Sequence, residues 1–244
     1  SKLNMYVVYG NNTATSYDLA NVAAGNGGYL VTVNDTSNSS SFSVSNAGDV
    51  NGDGLSDLII GSGAKNISYV VFGKSTGAAA LNLTGASSIA TSNGFSIVGA
   101  AGESAGYKVS NAGDVNGDGL GDLLVTGLGG TDPMVAPAHS YVVFGQSTAS
   151  TVNLSTLTAS NPTGGFLIKN NNTTDVAGIS LSYAGDINGD GLSDVIVASG
   201  YADLFGKTNA GKAYVVFGKS DATAVNLTDI NVGIGGFSVS GVTT

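Results

Sequence analysis

The chain has 244 residues, no cysteine and no arginine, and its eight lysines face 17 acidic residues, which gives a formal net charge of -9. The absence of cysteine excludes disulfides and thiolate metal sites. Because the lysines are scattered, a nucleic-acid-binding face is not expected. Nine of the 17 acids lie in three copies of one loop, so the rest of the chain is neutral and three divalent cations would leave a charge of -3. Apolar runs are too short to predict a membrane span.

In chain order, the sequence predicts four kinds of strand, which we call A, B, C and D. C-type strands share a Tyr-Val-Val-aromatic segment, and D-type strands begin at a glycine followed by an aromatic residue. A-type strands end at an acidic loop, and the apolar B-type strands follow that loop. The predicted positions are C at Tyr6, D at Gly28, then A at 41–49, B at 57–61, C at Tyr69, D at Gly94, A at 106–114, B at 122–126, C at Tyr141, D at Gly165, A at 178–186, B at 194–198, C at Tyr214 and D at Gly236.

B- and C-type strands are apolar at consecutive positions, so both of their faces must be covered. This pattern predicts an all-β fold, a β-propeller of four-stranded antiparallel blades, with about three and a half blades in this chain. A sandwich with one solvent-facing side would alternate instead. The expected division is residues 1–40 for strands C and D of a split blade, 41–98 for blade 1, 99–169 for blade 2 and 170–244 for blade 3.

The acidic loop reads Asp-X-Asn-Gly-Asp-Gly-Leu-X-Asp at residues 49–57, 114–122 and 186–194. Oxygen side chains at positions one, three, five and nine, with glycines between them, suit a hard cation, and a flexible oxygen cage favours Ca²⁺. The alternative, a plain Asx and glycine turn, would leave the carboxylates without a cation. The predicted ligands, with a backbone carbonyl at position seven, are Asp49, Asn51, Asp53, Leu55, Asp57, Asp114, Asn116, Asp118, Leu120, Asp122, Asp186, Asn188, Asp190, Leu192 and Asp194.

An EF-hand is not expected, because its twelfth position needs a bidentate glutamate and this chain has Ile60, Val125 or Val197 there. The loop and the apolar strand after it resemble the FG-GAP repeat family, the calcium-binding blades of integrin α-subunit propellers. That resemblance implies a calcium-stabilised propeller with a role in adhesion or protein contact. The Phe-Gly and Gly-Ala-Pro signatures of the family are replaced here, so the ligand specificity of integrins is not implied.

No catalytic constellation is evident, and we expect a non-catalytic module of a secreted or cell-surface bacterial protein. The single histidine, His139, is predicted in a surface loop, and Glu103 is predicted as a surface acid, like Asp132, Asp175 and Asp203. Two alternatives remain open: a lectin-like propeller that binds carbohydrate, and an accessory module of a larger secreted enzyme. The repeated tyrosines of the C-type strands are predicted to pack between blades rather than to stack on sugars.

A protein or glycan ligand is expected on the face opposite the acidic loops, where residues 128–139 and 200–212 form the longest connections. These connections contain Met134, Val135, Tyr201 and Phe205. The chain starts with a C-type strand, ends with a D-type strand and has no initiator methionine, so we expect a piece of a longer protein. Its end blades are expected to be covered by self-association or by pairing with further blades.

Overall fold

The computed structural model describes residues 2–10, 16–34, 42–76, 79–129, 138–159, 162–171, 177–203 and 209–241. The strands in chain order are β1 (Lys2–Val8), β2 (Gly28–Asn34), β3 (Phe42–Gly48), β4 (Asp57–Ser62), β5 (Ile67–Val71), β6 (Leu81–Leu83), β7 (Gly94–Val98), β8 (Lys108–Gly113), β9 (Asp122–Gly127), β10 (His139–Val143), β11 (Val152–Asn153), β12 (Gly165–Lys169), β13 (Ser180–Gly185), β14 (Asp194–Ser199), β15 (Lys212–Val216), β16 (Val225–Asn226) and β17 (Gly236–Ser240). The helical segments are short: α1 (Leu19–Ala23), α2 (Leu227–Ile230) and 3₁₀ turns at Gly63–Lys65, Ala86–Ser88 and Leu154–Thr158.

The strands form four sheets, which we number by their place along the chain. Sheet 1 has the order β1-β2-β6, sheet 2 β11-β7-β5-β4-β3, sheet 3 β16-β12-β10-β9-β8 and sheet 4 β13-β14-β15-β17. The antiparallel pairs within each sheet join consecutive A-, B-, C- and D-type strands. The all-β fold is therefore confirmed, and each predicted strand type is present in the described part of the chain.

Three short strands were not predicted, and they link neighbouring sheets. β6, β11 and β16 each lie in the connection between a C-type and a D-type strand, and each pairs in parallel with the D-type strand of the preceding sheet. A buried leucine ends β6 and directly follows β11 and β16; these leucines are Leu83, Leu154 and Leu227. A two- or three-residue strand carries too little periodicity to be recognised in the sequence.

The hydrophobic core lies between the sheets rather than inside one of them. Phe95 and Ile97 of sheet 2 pack with Tyr141 and Leu154 of sheet 3, and the same arrangement recurs between the other neighbouring sheets. The A-type strands β3, β8 and β13 lie side by side in succession. Both faces of sheets 2 and 3 are thus buried, which explains why their central strands are apolar at consecutive positions.

Glycine is required where each D-type strand begins. Gly165 has φ +139°, and a Cβ at this position would lie 2.1 Å from the carbonyl oxygen of Val142 on the neighbouring strand. Its counterpart Gly94 meets the carbonyl oxygen of Val70 in the same way, at 1.9 Å. The glycine of the Gly-aromatic marker is therefore required by close packing against the C-type strand at the start of each D-type strand.

In the part of the chain that the structure describes, no helix is both long enough and apolar enough to cross a membrane.

Candidate metal centres

Each acidic loop begins at a bulge where an A-type strand leaves its partner. In sheet 2 the pairing register shifts between Asn46 and Gly48, and the amide of Gly48 donates to Oδ1 of Asn46 at 2.6 Å. Gly48 has φ +76°, a conformation that glycine adopts without strain. The same shift occurs in sheets 3 and 4, at Gly113 and Gly185. The bulge turns the chain away from the sheet, so position one of the loop lies beyond the strand end.

The aspartate at position one organises the turn. The carboxylate of Asp49 accepts backbone N–H bonds from Gly52, Asp53 and Gly54 at 2.8, 3.0 and 2.8 Å. Asp114 and Asp186 accept the corresponding three bonds in their loops. These bonds curl the backbone around one carboxylate.

Positions three and five face each other across the turn. In the first loop, Nδ2 of Asn51 donates to Oδ2 of Asp53 at 2.9 Å, and the amide of Asp53 donates to Oδ1 of Asn51 at 2.9 Å. The second and third loops repeat both bonds. The side chains of Asp49, Asn51 and Asp53 therefore share one exposed turn, as the motif predicts.

The aspartate at position nine occupies a different environment. Asp57, Asp122 and Asp194 are buried at the first position of their B-type strands. Oδ2 of Asp122 accepts from the amide of Val115 at 2.8 Å, and Oδ1 accepts from the amide of Gly145 at 2.8 Å. The other two loops repeat this pair of bonds. Position nine thus ties the loop to the end of the C-type strand, a role that the sequence did not reveal.

Burial raises the pKa of Asp57 to about 6 and that of Asp122 to about 7. The backbone N–H bonds oppose this rise, whereas the charges of the other two aspartates in each loop add to it. The carboxylates of one loop are therefore close enough to repel one another. A cation placed among them would favour their charged forms.

No three acidic, histidine or cysteine side chains within the described ranges are grouped closely enough to hold a metal ion as they stand. The donor chemistry nevertheless fits calcium, because each loop offers three carboxylates and one amide oxygen. An ionised carboxylate has about four lone-pair sites, so two N–H bonds leave the position-nine aspartate able to accept a cation as well. To hold an ion, the exposed side chains would have to turn towards the buried one and exchange some of their N–H bonds for the cation.

The loops of neighbouring sheets are joined to one another. The amide of Gly121 donates to the carbonyl of Asp49 at 2.7 Å, and the amide of Ser193 donates to the carbonyl of Asp114 at 2.8 Å. The leucine at position seven also reaches across, since a Cβ on Gly52 would lie 3.0 Å from Cδ2 of Leu120. The three loops form one continuous row along the same end of the sheets.

Two predictions outside the loops are wrong. His139 is not in a surface loop; it is the first residue of β10, half-buried, and its Nδ1 is buried without a hydrogen-bond partner. Burial lowers the pKa of His139. Glu103 is not a surface acid but is buried, and it accepts hydrogen bonds from the Tyr141 hydroxyl and, at 2.8 Å, from the amide of Ala100.

The remaining candidate residues divide between the core and the surface. Tyr69, Tyr141 and Tyr214 are buried between sheets, which confirms the packing prediction and leaves them unable to stack on a sugar. Tyr6 is exposed, as are Tyr201 and Asp203. Met134, Val135, Phe205, Asp132 and Asp175 lie outside the described residues, so the predicted ligand face stays a prediction. A cavity of about 460 Å³ lies beside the second acidic loop, where Asn116 and Asp118 form part of its wall.

Successive sheets built on antiparallel A- to D-type strands, three of them with an acidic loop between the A- and B-type strands, define a β-repeat protein with candidate cation loops. The FG-GAP repeat family model matches residues 42–81 and 177–216, so the chain contains FG-GAP repeats. These segments cover the loop-bearing A- and B-type strands of sheets 2 and 4 together with their C-type strands. A comparison with curated proteins finds no match.

Proposed function

We propose that this chain is a calcium-stabilised, non-catalytic propeller module of a secreted or cell-surface bacterial protein, which serves adhesion or protein contact. The FG-GAP repeats favour an integrin-like propeller module. The division into three and a half blades belongs to the same proposal, with each of sheets 2 to 4 as one blade.

One observation carries the calcium proposal: nine loop carboxylates recur in the same geometry with no protein cation beside them. Within the described ranges, the one ion pair joins Lys219 to Asp221, outside the loops. Three like charges gathered in one turn destabilise it unless a counterion neutralises them. In the first loop, Asp49, Asn51, Asp53 and Asp57 would hold the ion together with the Leu55 carbonyl, and the other loops would do so through the equivalent residues. The ion would supply positive charge and would fix the turn.

The position of the loops favours a structural role for calcium. The row of loops spans three sheets and is joined by backbone hydrogen bonds, so a cation in each loop would rigidify one end of the module. Five donors come from within each loop, and calcium takes about 6–8 oxygen ligands, so only a few positions would remain for water.

Thermal unfolding in EGTA and in millimolar calcium tests the proposal. We expect a clearly higher midpoint in calcium, because an ion that binds only the folded state stabilises it. Asp118→Ala should remove part of that increase, because the second loop loses one of its proposed ligands. Equal midpoints in EGTA and calcium would contradict the proposal.

A further inference from the structure

The outer face of sheet 4 exposes apolar side chains that are buried in every other sheet. Phe237 is 38% exposed and Val239 is 56% exposed, whereas their counterparts in sheet 3, Phe166 and Ile168, are 0% and 1% exposed. In sheets 1 to 3 this face of the D-type strand is covered by the next sheet along the chain. Sheet 4 therefore presents one complete half of an inter-sheet contact.

Sheet 1 exposes the opposite half of the same contact. Tyr6 is 38% exposed and Leu19 is 48% exposed, whereas Tyr141 and Leu154 occupy the same positions in sheet 3 and are 1% and 0% exposed. Val8 of β1 is exposed as well. In sheets 2, 3 and 4 this tyrosine and this leucine pack on the D-type strand of the preceding sheet.

We propose that a second copy of this chain docks head to tail, with sheet 4 of one copy packed against sheet 1 of the other. The contact would repeat an interface that the chain already forms three times, between sheets 1 and 2, 2 and 3, and 3 and 4. Sheet 1 has a C-type and a D-type strand but no described A- or B-type strand, so the contact covers the part of sheet 4 where β15 and β17 lie.

The open edge of β17 gives this docking a register. β17 pairs with β15 and with no other strand among the described residues, so its outer edge is available to an extended segment. The D-type strands of the other sheets receive a parallel strand at a fixed position, with the pairs Val31 and Leu81, Ile97 and Val152, and Ile168 and Val225. By the same spacing, Val239 of one copy would lie opposite Tyr17 of the other.

The segment at Tyr17 and Asp18 is already shaped for this role. Asp18 is extended, with φ -89° and ψ 114°, and its Oδ1 accepts the amide of Ala20 at 2.9 Å to cap α1. Asn226, the last residue of the added strand β16, holds the same position before α2 and is likewise extended. Asp18 therefore has the backbone conformation of the last residue of an added strand, without the partner strand.

A second copy is the occupant that supplies both halves of the interface at once. Each chain contributes one sheet-1 face and one sheet-4 face, so two copies can satisfy both contacts by a two-fold rotation. The pair would contain eight sheets, within the range of about 4–8 blades in which propellers close.

Sedimentation velocity on the whole chain in millimolar calcium tests the docking. Val239→Lys disables the sheet-4 face, Leu19→Lys disables the sheet-1 face, and Thr148→Lys places the same charge at an exposed position of the central part of the chain. All three positions are exposed, so circular dichroism should show unchanged folding. We expect the wild type and Thr148→Lys to associate at micromolar concentration, and each face variant to weaken association about tenfold or more.

Mixing the two face variants distinguishes head-to-tail docking from a symmetric contact. An equimolar mixture of Val239→Lys and Leu19→Lys retains one intact face of each kind, so it should form a dimer that neither variant forms alone. A monomeric wild type would overturn the proposal. So would a face variant that associates like the wild type, or a mixture that stays monomeric.

Discussion

Replacing Asp122 by alanine tests the unexpected structural role of the ninth loop position. Its carboxylate accepts hydrogen bonds from the amides of Val115 and Gly145, and both bonds lie at the buried end of the loop. Each donor left unsatisfied in a buried site costs about 1–3 kcal/mol, so the free energy of unfolding should fall by about 2–6 kcal/mol. Asp122→Asn keeps one acceptor oxygen and should lose roughly half as much.

The assay is urea unfolding in EGTA at pH 5, where the pKa of about 7 keeps the carboxyl of Asp122 protonated in the folded chain, so that burial of its charge contributes little. With a slope of about 2 kcal/mol per molar urea, the midpoint of the alanine variant should fall by about 1–3 M. Asp118→Ala is the matched control, because Asp118 lies in the exposed turn of the same loop. In EGTA, an Asp122→Ala midpoint as high as that of Asp118→Ala would refute a structural role for position nine.

Two further changes test the fold and its buried titratable group. Gly165→Ala should destabilise the protein by at least about 2 kcal/mol, because its Cβ would collide with the Val142 carbonyl at a positive φ. Gly164→Ala is the control: a Cβ there has no atom within 4 Å, so this variant should be neutral. Similar melting temperatures for the two variants would contradict the close packing at the start of β12. In the folded chain, the pKa of His139 lies below its ordinary value of 6.5. As the pH falls through this region, the unfolded chain therefore binds more protons than the folded chain, and stability is lost. The stability of the wild type relative to His139→Gln should therefore decrease between pH 7.5 and pH 5 by urea unfolding, and a pH-independent difference would argue against a buried neutral imidazole.

The A- to D-type strands can be predicted from the sequence because the B- and C-type strands are buried on both faces. Such strands need apolar residues at consecutive positions, as from Leu123 to Val125. The sequence does not predict the added parallel strands, since two residues such as Val152 and Asn153 carry no period. The partners that would identify such a strand lie in another sheet, far along the chain.

For the candidate site, the motif predicts the exposed turn at positions one, three and five but not the burial of position nine. One signal was available, because Asp57 directly precedes the apolar run of β4 and the first residue of a buried strand is itself sheltered. His139 was misplaced for a related reason. A lone histidine has no pattern of its own, and the strand β10 begins two residues before its Tyr-Val-Val marker.

Calcium titration by isothermal calorimetry on the chelator-treated chain tests whether the acidic loops hold cations. Three ions should bind per chain, one for each acidic loop, and the stoichiometry should fall by one in Asp118→Ala. The same titration with Asp221→Ala, which changes an acid outside the loops, should retain the full stoichiometry. The absence of calcium binding at millimolar concentration, or an unchanged stoichiometry in Asp118→Ala, would contradict calcium binding by the loops.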